Sequence, residues 1–289
     1  MNYYLKIADK VFQIETSEPF EIAENIRQFF VEENFAEQKS LTDSRIYYKV
    51  FVEDTFDQLK GRIRYRNPSR IILDCESREC RVHFLPGMRE PFAYYLETEP
   101  GVCEIHILKY FLPKNVINLI FLELLAMEKY LLQENALVLH SSYIICEGKA
   151  LLFSAPSGTG KSTQARLWEQ YKNAKVINGD RSVLKCTEKG IYACGLPFCG
   201  SSQINWNESA PLVGIVLLEQ APKNEIERCS AAQATKKLFS ECSVNYWNQE
   251  FVNQTFEVIE KIVGNVPVYK LKCDISKEAV EAVYREVFG

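Results

Sequence analysis

Two rhythms of apolar residues divide the chain. Up to about residue 107 they recur at short, strand-like intervals, and after residue 136 strand-like runs alternate with helical spacing. Tyr4-Leu5-Lys6-Ile7 and Val11-Phe12-Gln13-Ile14, around Asp9-Lys10, predict a hairpin. Further apolar runs at 45–52, 71–75, 80–85, 92–96 and 103–107 are separated by turn-rich segments, which predicts a mostly antiparallel sheet. Two stretches break the strand rhythm. Ile22, Ile26, Phe29 and Phe30 predict a short amphipathic helix over 21–33. Ile117, Ile120, Phe121, Leu124, Leu125 and Tyr130 form a wide apolar stripe that predicts one long helix over 112–133, joining two halves of the chain.

From Ala136 the reading is α/β. Leu137-Val138-Leu139-His140 and Tyr143-Ile144-Ile145-Cys146 are strand-like, and Glu147-Gly148-Lys149 is a hairpin turn leading to the run Ala150-Leu151-Leu152-Phe153. Val176-Ile177-Asn178 predicts a short strand, and 211–219 is apolar enough for the centre of a sheet. Helices are expected over 231–242, 250–263 and 276–287, with a strand at 266–271 before the last. The expected organisation is therefore a β-rich domain, 1–134, and an α/β domain, 135–289.

The stretch with the most specific chemistry is Ala155-Pro156-Ser157-Gly158-Thr159-Gly160-Lys161-Ser162-Thr163. It has the strand-loop-helix setting of a phosphate-binding loop, with Ala155 where the consensus has its first Gly. Gly158 and Gly160 permit backbone geometry in which successive N–H groups surround an anion, and the following helix start adds more donors. The candidate nucleotide-binding residues are Ser157, Gly158, Thr159, Gly160, Lys161, Ser162 and Thr163. Lys161 would reach the outer phosphates, and the Ser162 hydroxyl would ligate Mg²⁺. Asp180 follows a short strand after the loop's helix, where a metal-holding carboxylate is expected; the plain alternative is a turn-forming Asp after Gly179. The segment 195–202 is a second Gly-bounded turn, which serves either a ligand or a simple connection.

Charge narrows the function classes. A net charge of −4 and a pI near 5.7 give no reason to expect a nucleic-acid groove. Arg62-Ile63-Arg64-Tyr65-Arg66 reads as the wet face of a strand. The first ten residues carry no secretion signal, and the most apolar helix candidate is too short to span a bilayer, so a cytoplasmic protein with no membrane partner is the simplest reading. The ten cysteines are scattered singly, and neither Cys75/Cys80 nor Cys194/Cys199 brings histidines at zinc spacing; they read as reduced, mostly buried thiols.

Taken together, His140 after a strand, the hairpin, the loop Pro156 to Ser162, its helix and Asp180 resemble the catalytic domain of HPr kinase/phosphorylase, within the group that includes phosphoenolpyruvate carboxykinases. The resemblance is clearest from Leu137 to about Leu184. It implies a P-loop kinase domain on a mixed sheet, with ATP and Mg²⁺ as cofactors and Lys161, Asp180 and His140 as catalytic residues. Ser162 and Asp180 would be the metal ligands. The implied acceptor is a serine hydroxyl of a peptide or protein, since the group includes tailoring kinases for ribosomal peptides, with free serine as the small-molecule alternative. Oligomers occur in this group, so a homo-oligomer is compatible with it. The sequence departs from the family at Gly179, where an Asp-Asp doublet has its first acid, and it lacks the C-terminal segment that binds the family's phosphocarrier partner. The departure keeps open a regulatory nucleotide-binding module, and His140 keeps open a structural role at a strand end.

Overall fold

A computed structural model of the chain describes residues 1–36, 45–57, 59–111 and 116–289. The chain divides into two compact units, Met1–Tyr130 and Leu131–Gly289.

In the first unit the strands are β1 (Asn2–Ile7), β2 (Lys10–Thr16), β3 (Glu21–Ile22), β4 (Phe30–Val31), β5 (Ile46–Glu53), β6 (Arg62–Asn67), β7 (Arg70–Cys75), β8 (Arg78–His83), β9 (Ala93–Glu99), β10 (Val102–Leu108) and β11 (Val116–Ile117). Nine form one sheet in the order β4-β1-β2-β5-β10-β9-β8-β7-β6. The pairs β2–β5 and β5–β10 are parallel and the other pairs antiparallel. The β1–β2 hairpin turns through Ala8 and Asp9, both at positive φ (48° and 69°), a turn whose twist matches that of the strands. The basic segment 62–66 lies on β6, an edge of the sheet, with its Arg side chains toward water.

Both helices expected in this half are replaced by shorter elements. Over 21–33, Ile22 pairs with Ile117 in the β3–β11 bridge and Phe30 pairs with Leu5 in β4–β1, leaving only the 3₁₀ segment Glu24–Phe29 between them. Strand pairing at both ends outweighs the helical spacing, and no side chain caps the helix start. A four-residue helix, α1 (Glu33–Ala36), follows.

The expected helix over 112–133 begins at residues outside those described. Its described part is broken into β11, α2 (Leu119–Leu122), a 3₁₀ turn and α3 (Met127–Gln133). Asn118 starts α2 afresh, its side chain accepting from the Phe121 N–H at 3.0 Å. Ala126, at φ 48°, ends the 3₁₀ turn in a left-handed conformation that no helix continues through. Most of the apolar stripe is nonetheless buried: Ile117, Phe121, Leu124, Leu125 and Tyr130 are all at most 2% exposed, whereas Ile120 faces out at 49%.

The second unit is mixed α/β. Its strands are β12 (Ala136–Cys146), β13 (Lys149–Ser154), β14 (Lys175–Asn178), β15 (Arg181–Thr187), β16 (Gly190–Cys194), β17 (Ser209–Gln220), β18 (Glu225–Arg228) and β19 (Val268–Cys273). The two runs read on either side of residue 141 are one strand of 11 residues, β12. Its first half pairs with β15 and its second half with β13 and β14. The strand β17 is shared in the same way: it meets β16 near its start, then lies parallel to β13 and β19. Two sheets therefore branch from two common strands.

Helices α4 (Lys161–Lys172) and α7 (Lys277–Val287) cover one face, where Ala165, Trp168 and Val283 pack on Leu151, Phe153 and Val216. Helices α5 (Ala231–Glu241) and α6 (Gln249–Asn265) cover the other, with Leu238 and Ile259 against Leu152 and Ile215. Adjacent residues of one strand, Leu151 and Leu152, thus serve opposite cores, as the two-residue period requires. Among the described residues no helix is long and apolar enough to cross a membrane, and all ten cysteines are free thiols.

Candidate active site

The glycine-rich loop leaves the end of β13, whose last residue Ser154 is fully buried, and runs into α4 at Lys161. Gly158 and Gly160 adopt φ of 80° and 109°, which disfavours any side chain there. No atom lies within 4 Å of where a Cβ would sit on either, so the loop presents open backbone outward. Thr159 N–H bonds back to the Pro156 carbonyl at 3.3 Å, closing the turn, and Gln164 N–H returns to the Gly160 carbonyl at 2.9 Å as α4 begins.

Lys161 is only 6% exposed, and its ammonium donates to the carbonyls of Ala155 (2.8 Å) and Pro156 (3.3 Å). Burial pushes its pKa below the ordinary lysine value, opposed by the negative charges of Glu241 and Asp180. Ser162, the next residue of α4, donates its hydroxyl to the Gly179 carbonyl at 3.0 Å, which brings it against the residue preceding Asp180.

Asp180 sits in the tight turn between β14 and β15, and a residue not singled out by the sequence shapes that turn. Asn178 is fully buried; its side-chain oxygen accepts from the N–H groups of Asp180 (2.8 Å) and Arg181 (3.1 Å). Its amide donates to the carbonyls of Leu196 (2.9 Å) and Phe198 (2.8 Å), so the 195–202 segment is tied directly to the Asp180 turn. Gly200 packs there so closely that an added Cβ would lie 3.0 Å from Asp180 Cβ.

His140 lies where β12 passes from one sheet to the other, opposite Arg181 in the β12–β15 register. Its Nε2 is 3.7 Å from Asp180 Oδ1, and its Nδ1 is 3.2 Å from Glu241 Oε2. Arg181 holds the other Asp180 oxygen at 3.3 Å. Glu241, at the end of α5, was not legible in the sequence. It is brought in by the chain just after the helix: Cys242 bridges Leu139, and Ser243 N–H bonds to the Val138 carbonyl at 2.9 Å.

Lys161, Asp180 and His140 thus stand together, with Glu241 added and Ser162 adjoining. Ser157 and Thr159 are partly or fully exposed on the loop, and Thr163 lies in the first turn of α4. Among the described residues no group of three His, Cys, Asp or Glu side chains is set to hold a metal ion.

A family model described as "SynChlorMet cassette protein ScmC" matches residues 102–288, well over half of the chain. The chain belongs to the ScmC family. In ScmC terms the matched region runs from β10 to the end of α7 and contains every residue of the site just described. No curated protein matches the chain. A solved structure, the HPr(Ser) kinase/phosphatase from Coxiella burnetii, matches at 10% identity with a TM-score of 0.29, over 53% of this chain and 93% of that one.

Proposed function

We propose that this ScmC-family chain is an ATP- and Mg²⁺-dependent kinase of the P-loop, HPr-kinase-like type, transferring a phosphoryl group to a hydroxyl, most simply a serine of a peptide or protein. The observation that carries this reading is the setting of Lys161. Its buried ammonium hydrogen-bonds to uncharged backbone carbonyls beside a loop of outward-facing backbone, while Asp180 and His140 lie close by. A buried cation held by neutral partners favours an incoming anion, and phosphate oxygens can replace those carbonyls.

The residues fit the cofactors this reading requires. The 157–163 segment would hold the phosphates, and Ser162 with Asp180 would hold Mg²⁺. One carboxylate and one hydroxyl suffice for that ion, which takes its remaining ligands from phosphate and water. When bound, Mg-ATP supplies the phosphoryl group and neutralises charge as it transfers. In this reading Asp180 would accept the acceptor's hydroxyl proton, His140 would steady that carboxylate, and Lys161 would stabilise the transferring charge. Cytoplasmic location and the absence of nucleic-acid and membrane partners belong to the same proposal.

One observation favours a second reading, a nucleotide-binding regulatory module. At Gly179 a Cβ would lie 2.6 Å from the Cβ of Ser202, so Ser202 fills the room a second acid of the doublet would need. Transfer of label from γ-labelled ATP into serine-containing peptides and free serine, run beside Lys161→Ala and Asp180→Asn, separates the two. Transfer lost in both variants supports the kinase. ATP binding without transfer in the parent protein supports the module.

A further inference from the structure

Between Asp57 and Asp74 the chain carries Lys60, Arg62, Arg64, Arg66 and Arg70 and no acid, a concentration of positive charge in a chain whose net charge is −4. Three of these arginines lie on β6, the last strand of the nine-stranded sheet, and among the described residues no strand pairs with its outer edge. A bulge at Arg64 divides the strand's side chains between the two faces. Arg62 and Arg64 stand with Asp74, to which Arg64 is tied, while Ile63 and Arg66 stand opposite Leu73 and Ile71. Ile63 is 52% exposed and carries the apolar cluster of Leu73, Cys80 and Val82 out to the edge. Arg70, opposite Asn67, buries its Nε with no hydrogen-bond partner, and burial holds its pKa below the ordinary arginine value.

We infer that the outer edge of β6 is a docking surface for an acidic, extended segment of another polypeptide, which adds to the sheet as a further strand. The inference is independent of the kinase reading. An edge strand leaves its outward N–H and C=O groups unpaired, and an extended polypeptide backbone matches that row. Charge selects which one. Arginines along an edge discourage neutral and basic strands from pairing, and they leave an acidic strand favoured. A second copy of this chain does not fit, because β6 against β6 sets arginine against arginine, and like charges directly opposite are destabilising. Nucleic acid answers the charge but has no row of amide donors and acceptors to pair with the strand. The segment that fits carries acids on both faces, toward Arg62 and toward Arg66, with an apolar side chain beside Ile63.

Fluorescence anisotropy of the labelled peptide Ac-Glu-Val-Glu-Glu-Val-Glu-NH2, as long as β6 itself, titrated with the full chain tests this. Affinity should fall tenfold or more when Lys replaces every Glu of the peptide. It should fall as far when every backbone nitrogen of the peptide is methylated, which keeps the charges and removes the N–H donors. The double variant Arg62→Glu/Arg66→Glu should lose tenfold or more in affinity while unfolding at the parent's temperature, and bound peptide should slow deuterium exchange over 62–67. No binding, binding indifferent to N-methylation or to the double substitution, or equal affinity for a single-stranded DNA of the same charge overturns the proposal. So does a dimer in sedimentation that protects 62–67 from exchange without the peptide.

Discussion

Each unit buries a cation, and the two are held in opposite ways. Arg81 of the first unit is 1% exposed and meets two carboxylates, Glu79 at 2.8 Å and Glu128 at 2.5 Å. Burial opposes its charge, yet Glu128 and Glu79 outweigh that and hold its pKa above the ordinary arginine value. Lys161 of the second unit is nearly as buried, but carbonyls are its hydrogen-bond partners and its pKa is depressed. A neutralised buried cation serves architecture. An under-neutralised one stores an unmet demand for negative charge, and it is found beside open backbone donors rather than inside a sheet.

The largest effect should come from breaking the neutralised pair. Arg81→Ala leaves Glu128 and Glu79 without their shared partner, and should cost about 3–5 kcal/mol of stability in urea titration. A loss below about 1 kcal/mol would mean that the pair contributes little beyond its own desolvation. Lys161→Met should show the contrast: transfer to an acceptor falls by about 10²–10³-fold, the scale of losing one charge-stabilising donor, while stability is kept or slightly raised. A Lys161→Met protein as destabilised as Arg81→Ala would erase the distinction drawn between the two cations.

The neighbourhood of Asp180 offers the next test. Gly195 has no room for a side chain: a Cβ would lie 3.0 Å from the Trp206 carbonyl carbon and closer still to its oxygen, and backbone cannot move aside cheaply. Gly195→Ala should therefore cost about 1–3 kcal/mol in thermal or urea unfolding, or more. At Gly179 the obstacle is the Ser202 side chain, so Gly179→Asp should be destabilised alone and relieved by Ser202→Gly in the same chain. No relief in the double variant would show that the turn itself excludes the acid.

The smallest effect concerns pH. Lys161 has a folded pKa below its unfolded one, so its charged form binds its proton more tightly when the chain is unfolded. Its charge disfavours folding fully below the folded pKa, and this penalty fades as pH rises through that value toward the ordinary lysine value of 10.5. The stability of the parent protein relative to Lys161→Met should therefore improve between neutral pH and about pH 10. A difference that stays flat would mean that the ammonium is not penalised by burial.

The two units also differ in how much of them the sequence disclosed. Strands with repeated apolar positions, such as 46–52 and 211–219, were legible because each makes its own pattern, and so were the helices after residue 231. The breaks at Asn118 and Ala126 were not, since one side-chain cap and one left-handed residue are invisible to an averaged apolar stripe. Within the site the loop, Asp180 and His140 could be singled out because their chemistry is local. Glu241 and Asn178 could not. Glu241 reaches His140 only through the pairing of Cys242 with Leu139, across about a hundred residues, and Asn178 looks like any strand-ending Asn until its four hydrogen bonds are counted.

Strand β12 has a further consequence for motion. Because its first half pairs with β15 and its second with β13 and β14, a slip of one residue would exchange the side chains that face the two cores, sending Leu139 and Tyr143 to the face of Ile144 and Cys146, and would break the pairing with three strands at once. His140 sits at the junction, so it cannot drift without opening two sheets together. The amides of 139–145 should then exchange with deuterium only through global unfolding, making the strand that carries the histidine the slowest-breathing part of the molecule.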